Sequence, residues 1–245
     1  MKRFAVSIIL FFVLLLPAGA DEPVLIGASL SFSGDYRETS QMIHSSYRLW
    51  KKQINNRGGL LGRKVQLIIL DDKSSVPLVT ENYRKLLSEY HVDLVLSPYS
   101  TPLTLAASEL TEEKGYVMIA CAAAGEEIWD RGYRHVFGMY SLAKRYFIGF
   151  LDLLAREGFE DVSILHETNT FNIDAAEGAV RWAEKFGITV LEKRGFNPDT
   201  ADFEQILQET EKKNPDGLIV CSYPVAGYTI LEKMNAMDYK PQAMA

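Results

Sequence analysis

The chain has 245 residues, 47% hydrophobic and 24% charged, and its 26 basic against 32 acidic side chains leave a formal net charge of −6 at pH 7. That balance argues against nucleic acid or an anionic membrane surface as partner, since both call for concentrated Lys and Arg. The length exceeds the ~100 to 150 residues of a typical single domain, so two compact units are expected.

Lys2 and Arg3 precede an apolar run from Phe4 to Leu16 and then Pro17-Ala18-Gly19-Ala20, the charge, apolar and small-residue order of a signal peptide over residues 1–20. Such a run, at ~1.5 Å per residue, spans ~20 Å against a hydrocarbon core of ~30 Å, which argues against a membrane anchor. No Cys follows the expected cleavage point, so a lipid anchor is not indicated, and the chain from Asp21 onward carries 24 basic against 32 acidic residues. No later segment approaches the ~18 consecutive apolar residues of a spanning helix. The expected location is the periplasm.

Short runs rich in Val, Ile and Leu then alternate with longer amphipathic stretches, the rhythm of βα units around a parallel sheet. Strand Val24 to Ala28 is followed by a helix from Ser40 to Arg57, with Ile43, Tyr47, Trp50 and Ile54 at helical spacing and Gly58-Gly59 as its end. Strand Val65 to Leu70, helix Pro77 to Tyr90, strand Asp93 to Leu96, helix Pro102 to Lys114 and strand Val117 to Ala120 complete a first unit. A less regular passage, Ala122 to Tyr140, includes the apolar pair Val136-Phe137. Ser141 reads as the cap of a helix to Glu157. Strand Val162 to Leu165, helix Ala175 to Phe186, strand Ile188 to Leu191, helix Asp202 to Lys213, strand Leu218 to Val220 and helix Val225 to Met237 follow. The chain stops at Pro241 to Ala245, where a further strand is expected. Lobes over 21–140 and 141–245, joined by a tight hinge, are the expected domains, since no Pro-rich or low-complexity linker separates them.

Cys121 and Cys221 end apolar runs in different lobes and read as buried free thiols. His44, His91, His135 and His166 have no ligand spacing, and His166-Glu167-Thr168-Asn169-Thr170 has Thr where a zinc-protease helix needs its second His. It reads as a strand end. No GxSxG, GxxxxGK[ST] or GxGxxG turn occurs. Asp71-Asp72 reads as a solvated strand-end pair, a metal or acid–base pair being the alternative. No enzyme activity, cofactor or metal is expected. Ser100-Thr101-Pro102 puts two hydroxyls at the start of a helix, which either cap it in the ordinary way or receive a carboxylate there.

The order of these motifs resembles the periplasmic binding proteins for branched-chain amino acids, the leucine-binding receptors of ABC transporters. The residues that carry it are Leu30-Ser31-Phe32-Ser33-Gly34, Ile54-Asn55-Asn56-Arg57-Gly58-Gly59-Leu60-Leu61-Gly62-Arg63, Asp71-Asp72 and Ser97-Pro98-Tyr99-Ser100-Thr101. The resemblance implies an α/β protein of two Rossmann-like lobes with parallel sheets, the type I periplasmic binding fold, closing by a hinge on a small ligand. The ligand would be an amino acid or a similar small carboxylate or amide, the partner a membrane permease, and the receptor a monomer. A ligand-sensing domain for a signalling partner is the alternative on the same fold.

By the same resemblance Thr101 and Ser100 hold the ligand carboxylate, with Tyr99 beside them lining the pocket or packing in the core. Ala122 and Ala124 offer backbone groups, although Ala124 lacks the hydroxyl that the family commonly carries there. Gly138 is a second departure, since Arg usually follows the residue matching Phe137. Phe171 and Tyr223 stand where aromatics close over the ligand, core packing being the other reading of each, and Tyr36 can reach the cleft from the first lobe. The acid that pairs with a ligand ammonium, and the return strands of the first lobe, are expected beyond Ala245, so the chain is expected to be a fragment. Four βα units alone would leave the first lobe with an uncovered sheet edge.

Overall fold

The computed structural model describes residues 22–245; the expected signal peptide lies outside them. Two sheets organise the chain. The first contains β1 (Val24–Leu30), β2 (Val65–Asp71), β3 (Leu94–Leu96), β4 (Met118–Ala120) and β5 (Val136–Gly138), in the order β2-β1-β3-β4-β5 and parallel throughout. The second contains β6 (Asp161–Glu167), β7 (Thr189–Phe196), β8 (Gly217–Cys221) and β9 (Ala243–Met244), in the order β7-β6-β8-β9, again parallel.

Parallel neighbours need crossovers, and helices supply them on both faces of each sheet. In the first lobe α1 (Arg37–Asn56) covers one face with Tyr47, and α2 (Val76–Ser88) and α3 (Thr101–Glu113) cover the other, burying Val79, Tyr83, Leu86 and Leu103 against Val95 and Met118. In the second lobe α5 (Ile148–Arg156) and α6 (Thr170–Phe186) pack Leu151, Leu154, Ala176 and Ala179 on Ile164 and Ile219. The opposite face receives Ile206, Leu207 and Ile230 of α7 (Phe203–Glu211) and α8 (Pro224–Ala236) on Leu165 and Leu218. Each fully buried Val, Leu, Ile or Met among them contributes about 1.5–3 kcal/mol through burial. Among the described residues no helix is long and apolar enough to cross a membrane.

Three expectations need correction. The irregular passage contains a short helix, α4 (Glu127–Asp130), and then β5, which pairs with β4; the first sheet has five strands, and its periodicity went unseen because β5 is three residues long. Ser141 caps nothing: a 3₁₀ turn at Ala143–Arg145 intervenes, and α5 starts at Ile148 after Phe147. Asp72 is not solvated. It is fully buried, and its carboxylate accepts hydrogen bonds from Ser29 Oγ (2.9 Å), Ser31 Oγ (2.5 Å) and the Ser74 N–H (3.0 Å). Asp71 accepts from the Phe32 and Lys73 N–H groups, each at 2.9 Å, so the pair fastens the loop after β1.

The Asn-x-x-Gly-Gly segment has an equally local cause. Asn55 clamps Val65, accepting its N–H at 2.7 Å and donating to its carbonyl at 2.9 Å, which starts β2. Gly59, at φ +89°, has the Arg63 carbonyl where a Cβ would stand. The Arg63 guanidinium then donates to the carbonyls of Glu22 (2.7 Å) and Pro23 (3.2 Å), fixing the entry to β1.

Candidate ligand-binding site

Open α/β sheets present their loops in a crevice where the strand order reverses, at the carboxyl ends of the strands. Here the reversals fall between β1 and β3 and between β6 and β8, and the two sets of loops face one another. A cavity of about 260 Å³ lies between them. The first lobe lines it with Thr39 and Ile43 of α1, Tyr99, Ser100 and Thr101 between β3 and α3, and Ala122, Ala123 and Ala124 after β4. Tyr140 and Tyr146 enter from the crossing segment, and Phe171 and Tyr223 from the starts of α6 and α8.

Seven of the residues singled out from the sequence therefore meet around one cavity: Tyr99, Ser100, Thr101, Ala122, Ala124, Phe171 and Tyr223. The eighth, Tyr36, lines a neighbouring space of about 370 Å³ and touches the first through its ring, 4.9 Å from Tyr223 and 5.5 Å from Tyr99 between centroids. Tyr99 and Tyr223 are 6.0 Å apart, Phe171 and Tyr223 5.8 Å. Aromatic contact thus joins the lobes directly.

Ser100 does cap α3, accepting the Leu103 N–H at 3.4 Å. It does so at φ +88°, ψ 153°, a conformation that costs a non-glycine residue about 1–3 kcal/mol. Its own N–H, donating to the Ala122 carbonyl at 3.1 Å, helps hold it there. Thr101 Oγ1 accepts from the Gly125 N–H at 3.0 Å, which leaves the hydroxyl proton free to donate. Ala143 N–H occupies the Ala124 carbonyl at 2.8 Å, so it is the N–H groups of Ala122 and Ala124 that have no partner among the described residues. Gly138 follows from its neighbour: a Cβ there would stand 2.6 Å from the Trp129 ring, so the indole takes the room an Arg would need.

None of the twelve residues around the first cavity is charged. Burial raises Tyr99, Tyr146 (to about 12) and Tyr223 above the ordinary phenol value, so these hydroxyls keep their protons. The Tyr223 hydroxyl is buried beside the Ser100 side chain and the Thr101 backbone at the start of α3. The acids stand in the second space, where Asp35, Glu167 and Asp199 are grouped. Glu167 is only 4% exposed. It accepts the Tyr223 N–H (2.7 Å) and the side-chain amides of Asn169 (2.7 Å) and Asn172 (3.4 Å), and burial lifts its carboxyl above the usual range. Sequence reasoning passed over it as part of a strand end, which it is. Tyr140 was missed because it lies where no periodic pattern runs, and Tyr146 because it was read as part of the expected helix from Ser141 to Glu157. No group of three or more His, Cys, Asp or Glu among the described residues is placed to hold a metal.

Two doubly wound lobes share a neutral, ring-lined cavity at the carboxyl ends of their strands. Residues 23–245 match the family described as periplasmic binding protein, and the chain belongs to that family. The Leu/Ile/Val-binding protein homolog 7 of Brucella abortus (strain 2308) is 22% identical over 237 residues, covering 93% of this chain and 59% of the relative. A solute binding protein of an ABC transporter from Rhodopseudomonas palustris BisB5, solved with 3,4-dihydroxy benzoic acid, superimposes with a TM-score of 0.81 at 20% identity, over 91% of this chain and 61% of that one. An ABC transporter substrate-binding protein from Desulfitobacterium hafniense in complex with Leu gives 0.75 at 20%, over 90% and 64%. The chain spans about three fifths of the length of these relatives.

Proposed function

We propose that this protein is the extracytoplasmic solute-binding receptor of an ABC transporter. Lobes 21–140 and 141–245 close by a hinge on an amino acid or similar small carboxylate or amide and present it to a membrane permease. The observation that carries this reading is the cavity shared by both lobes at the start of α3, where the Thr101 hydroxyl proton and the N–H groups of Ala122 and Ala124, unpaired among the described residues, are available to a carboxylate. The dipole of α3, whose positive end faces the cavity, favours an anion there as well. The relatives' ligands, Leu in one structure and 3,4-dihydroxy benzoic acid in another, share a carboxylate and agree with that chemistry. In this reading the protein acts as a monomer and binds its ligand without turnover.

Thermal denaturation against a panel of amino acids, carboxylates and amides tests the reading, since any ligand of the native state raises the midpoint. One or more carboxylates are expected to do so, and Thr101→Val to weaken that shift. A panel without a single shift removes the reading.

A further inference from the structure

Away from the cavity, the seam between the lobes contains one contact that is complete only when it carries a proton. Glu126 lies in the first lobe between β4 and α4, and Asp174 and Glu177 lie on α6 of the second. Lys144, in the crossing segment, is fixed to α6: Trp182 Nε1 donates to its carbonyl at 3.1 Å, and the bare Cα of Gly178 lets its backbone come closer than a Cβ would allow. Glu126 joins this assembly through two hydrogen bonds. Its N–H donates to Asp174 Oδ2 at 2.9 Å, and its Oε1 accepts the Lys144 N–H at 3.1 Å.

The second carboxyl oxygen, Glu126 Oε2, is buried and meets no donor among the described residues. The Glu126 and Asp174 carboxyls are nevertheless within hydrogen-bond range of each other. Two carboxylates offer one another only acceptors, so such a contact holds when one of them is protonated and donates its O–H. Lys144 Nζ does not relieve the pair, standing 3.2 Å from Asp174 Oδ1 and 3.5 Å from Glu177 Oε2. With every group ionised, three carboxylates share one ammonium. The other neighbours add no cation. Tyr146 stays neutral, burial pushing its hydroxyl up to about 12. On α4, Arg131 turns to the Leu105 carbonyl (3.1 Å) and to Glu127 (3.5 Å), and Asp130 is exposed. Burial first, and then the Asp174 carboxyl, lift Glu126 above its ordinary value of 4.5 against the pull of the Lys144 N–H, so the proton is retained to a higher pH than on a free Glu.

We propose that Glu126 and Asp174 share one proton across the seam and form an acid-operated latch, which holds the lobes together while the proton is present and lets them part when both carboxyls ionise. Because the proton belongs to the joined arrangement, that arrangement is favoured below the raised Glu126 value. It loses ground as pH rises through that value, by up to about tenfold in the joined-to-parted ratio per pH unit for a single proton. The latch is independent of what the cavity takes.

Infrared difference spectroscopy of the ligand-free protein between about pH 4 and 8 reads the proton, and small-angle scattering over the same range reads the lobe spacing. A protonated-carboxyl band that titrates above the ordinary Glu value is expected, with a radius of gyration that grows as the band is lost. Glu126→Gln, whose amide donates where the proton does, is expected to lack that band and to stay compact throughout. Asp174→Asn places the amide on the other side of the contact, is expected to behave in the same way, and serves if Glu126→Gln fails to fold. A band that survives in both variants overturns the proposal. So does a radius of gyration that ignores pH in the unaltered protein or rises equally in the variants. None of these outcomes touches the receptor reading, and a silent ligand panel leaves the latch intact.

Discussion

Asp72 shows how a residue can look like surface chemistry and be internal scaffolding. Three donors converge on its carboxylate, yet burial still pushes the carboxyl above its ordinary value of 3.8, desolvation of the charged form outweighing the hydrogen bonds. The folded chain therefore holds this proton more tightly than the unfolded chain. The resulting penalty is absent below pH ~4 and complete above the raised value, so on account of Asp72 stability falls as pH rises through that window. Asp72→Asn is expected to flatten the slope in urea midpoints taken between pH 3 and 7; parallel slopes would refute it. Asp72→Ala strands Ser29, Ser31 and the Ser74 N–H and is expected to cost about 3 kcal/mol. Gly138 gives a second test at this scale. Gly138→Arg should cost about 1–3 kcal/mol by overpacking on Trp129, and Trp129→Ala should relieve most of that loss in a double-mutant cycle.

Among the elements, α6 carries the tightest constraint. Gly178 sits inside this helix, where Ala would ordinarily be better by about 1 kcal/mol. A Cβ there meets the backbone of Lys144, which cannot swing aside as a side chain can. Overpacking against backbone outweighs propensity, so Gly178→Ala is expected to lower stability by about 2 kcal/mol, read from thermal or urea denaturation. An unchanged or higher midpoint would show that the crossing segment yields. Strands and helices with several turns or a buried face were legible because period and burial coincide in them; β1, β2, α2, α3 and α8 fall close to where their patterns place them. The start of α6 was not. Its first turn, after the Asn169 cap, reads as polar and aromatic because Thr170, Phe171 and Asn172 face the cleft and Glu167 rather than a lipid-like core. The same conflict explains the site: Ser100, Thr101 and the alanines announce themselves through a helix start and a strand end, whereas Tyr140, Tyr146 and Glu167 acquire meaning only when the second lobe is brought opposite the first.

Across the whole molecule the lobes touch at more than the aromatic cluster. The Glu126 N–H of the first lobe donates to Asp174 of α6 at 2.9 Å, and Lys144 Nζ lies 3.2 Å from the same carboxylate. The Lys144 N–H donates to Glu126 at 3.1 Å, and Trp182 Nε1 to the Lys144 carbonyl at 3.1 Å. The two cysteines provide a separate check on lobe integrity. Cys221 is buried and Cys121 half-buried beside the Tyr47 hydroxyl at 3.1 Å; both are free, and burial raises both thiols, Cys221 to about 12. Unreduced protein is expected to take two thiol labels per chain in denaturant and far fewer when native at pH 8, with Cys221 the slower. A chain that takes none after denaturation would carry the disulfide that these environments argue against.

The segregation of the sheets has a consequence in time as well as in space. Among the described residues every strand of the first sheet lies at or before Gly138 and every strand of the second at or after Asp161, with no ladder joining them. A chain released from its N-terminus onward thus holds these five strands before β6 exists, and no pairing among them waits for the second sheet. The second lobe then assembles beside a surface already in place, with Glu126 and Lys144 awaiting Asp174 and the bare Cα of Gly178. Vectorial maturation of this kind makes the order of synthesis, rather than an additional contact, the guide that seats one lobe upon the other.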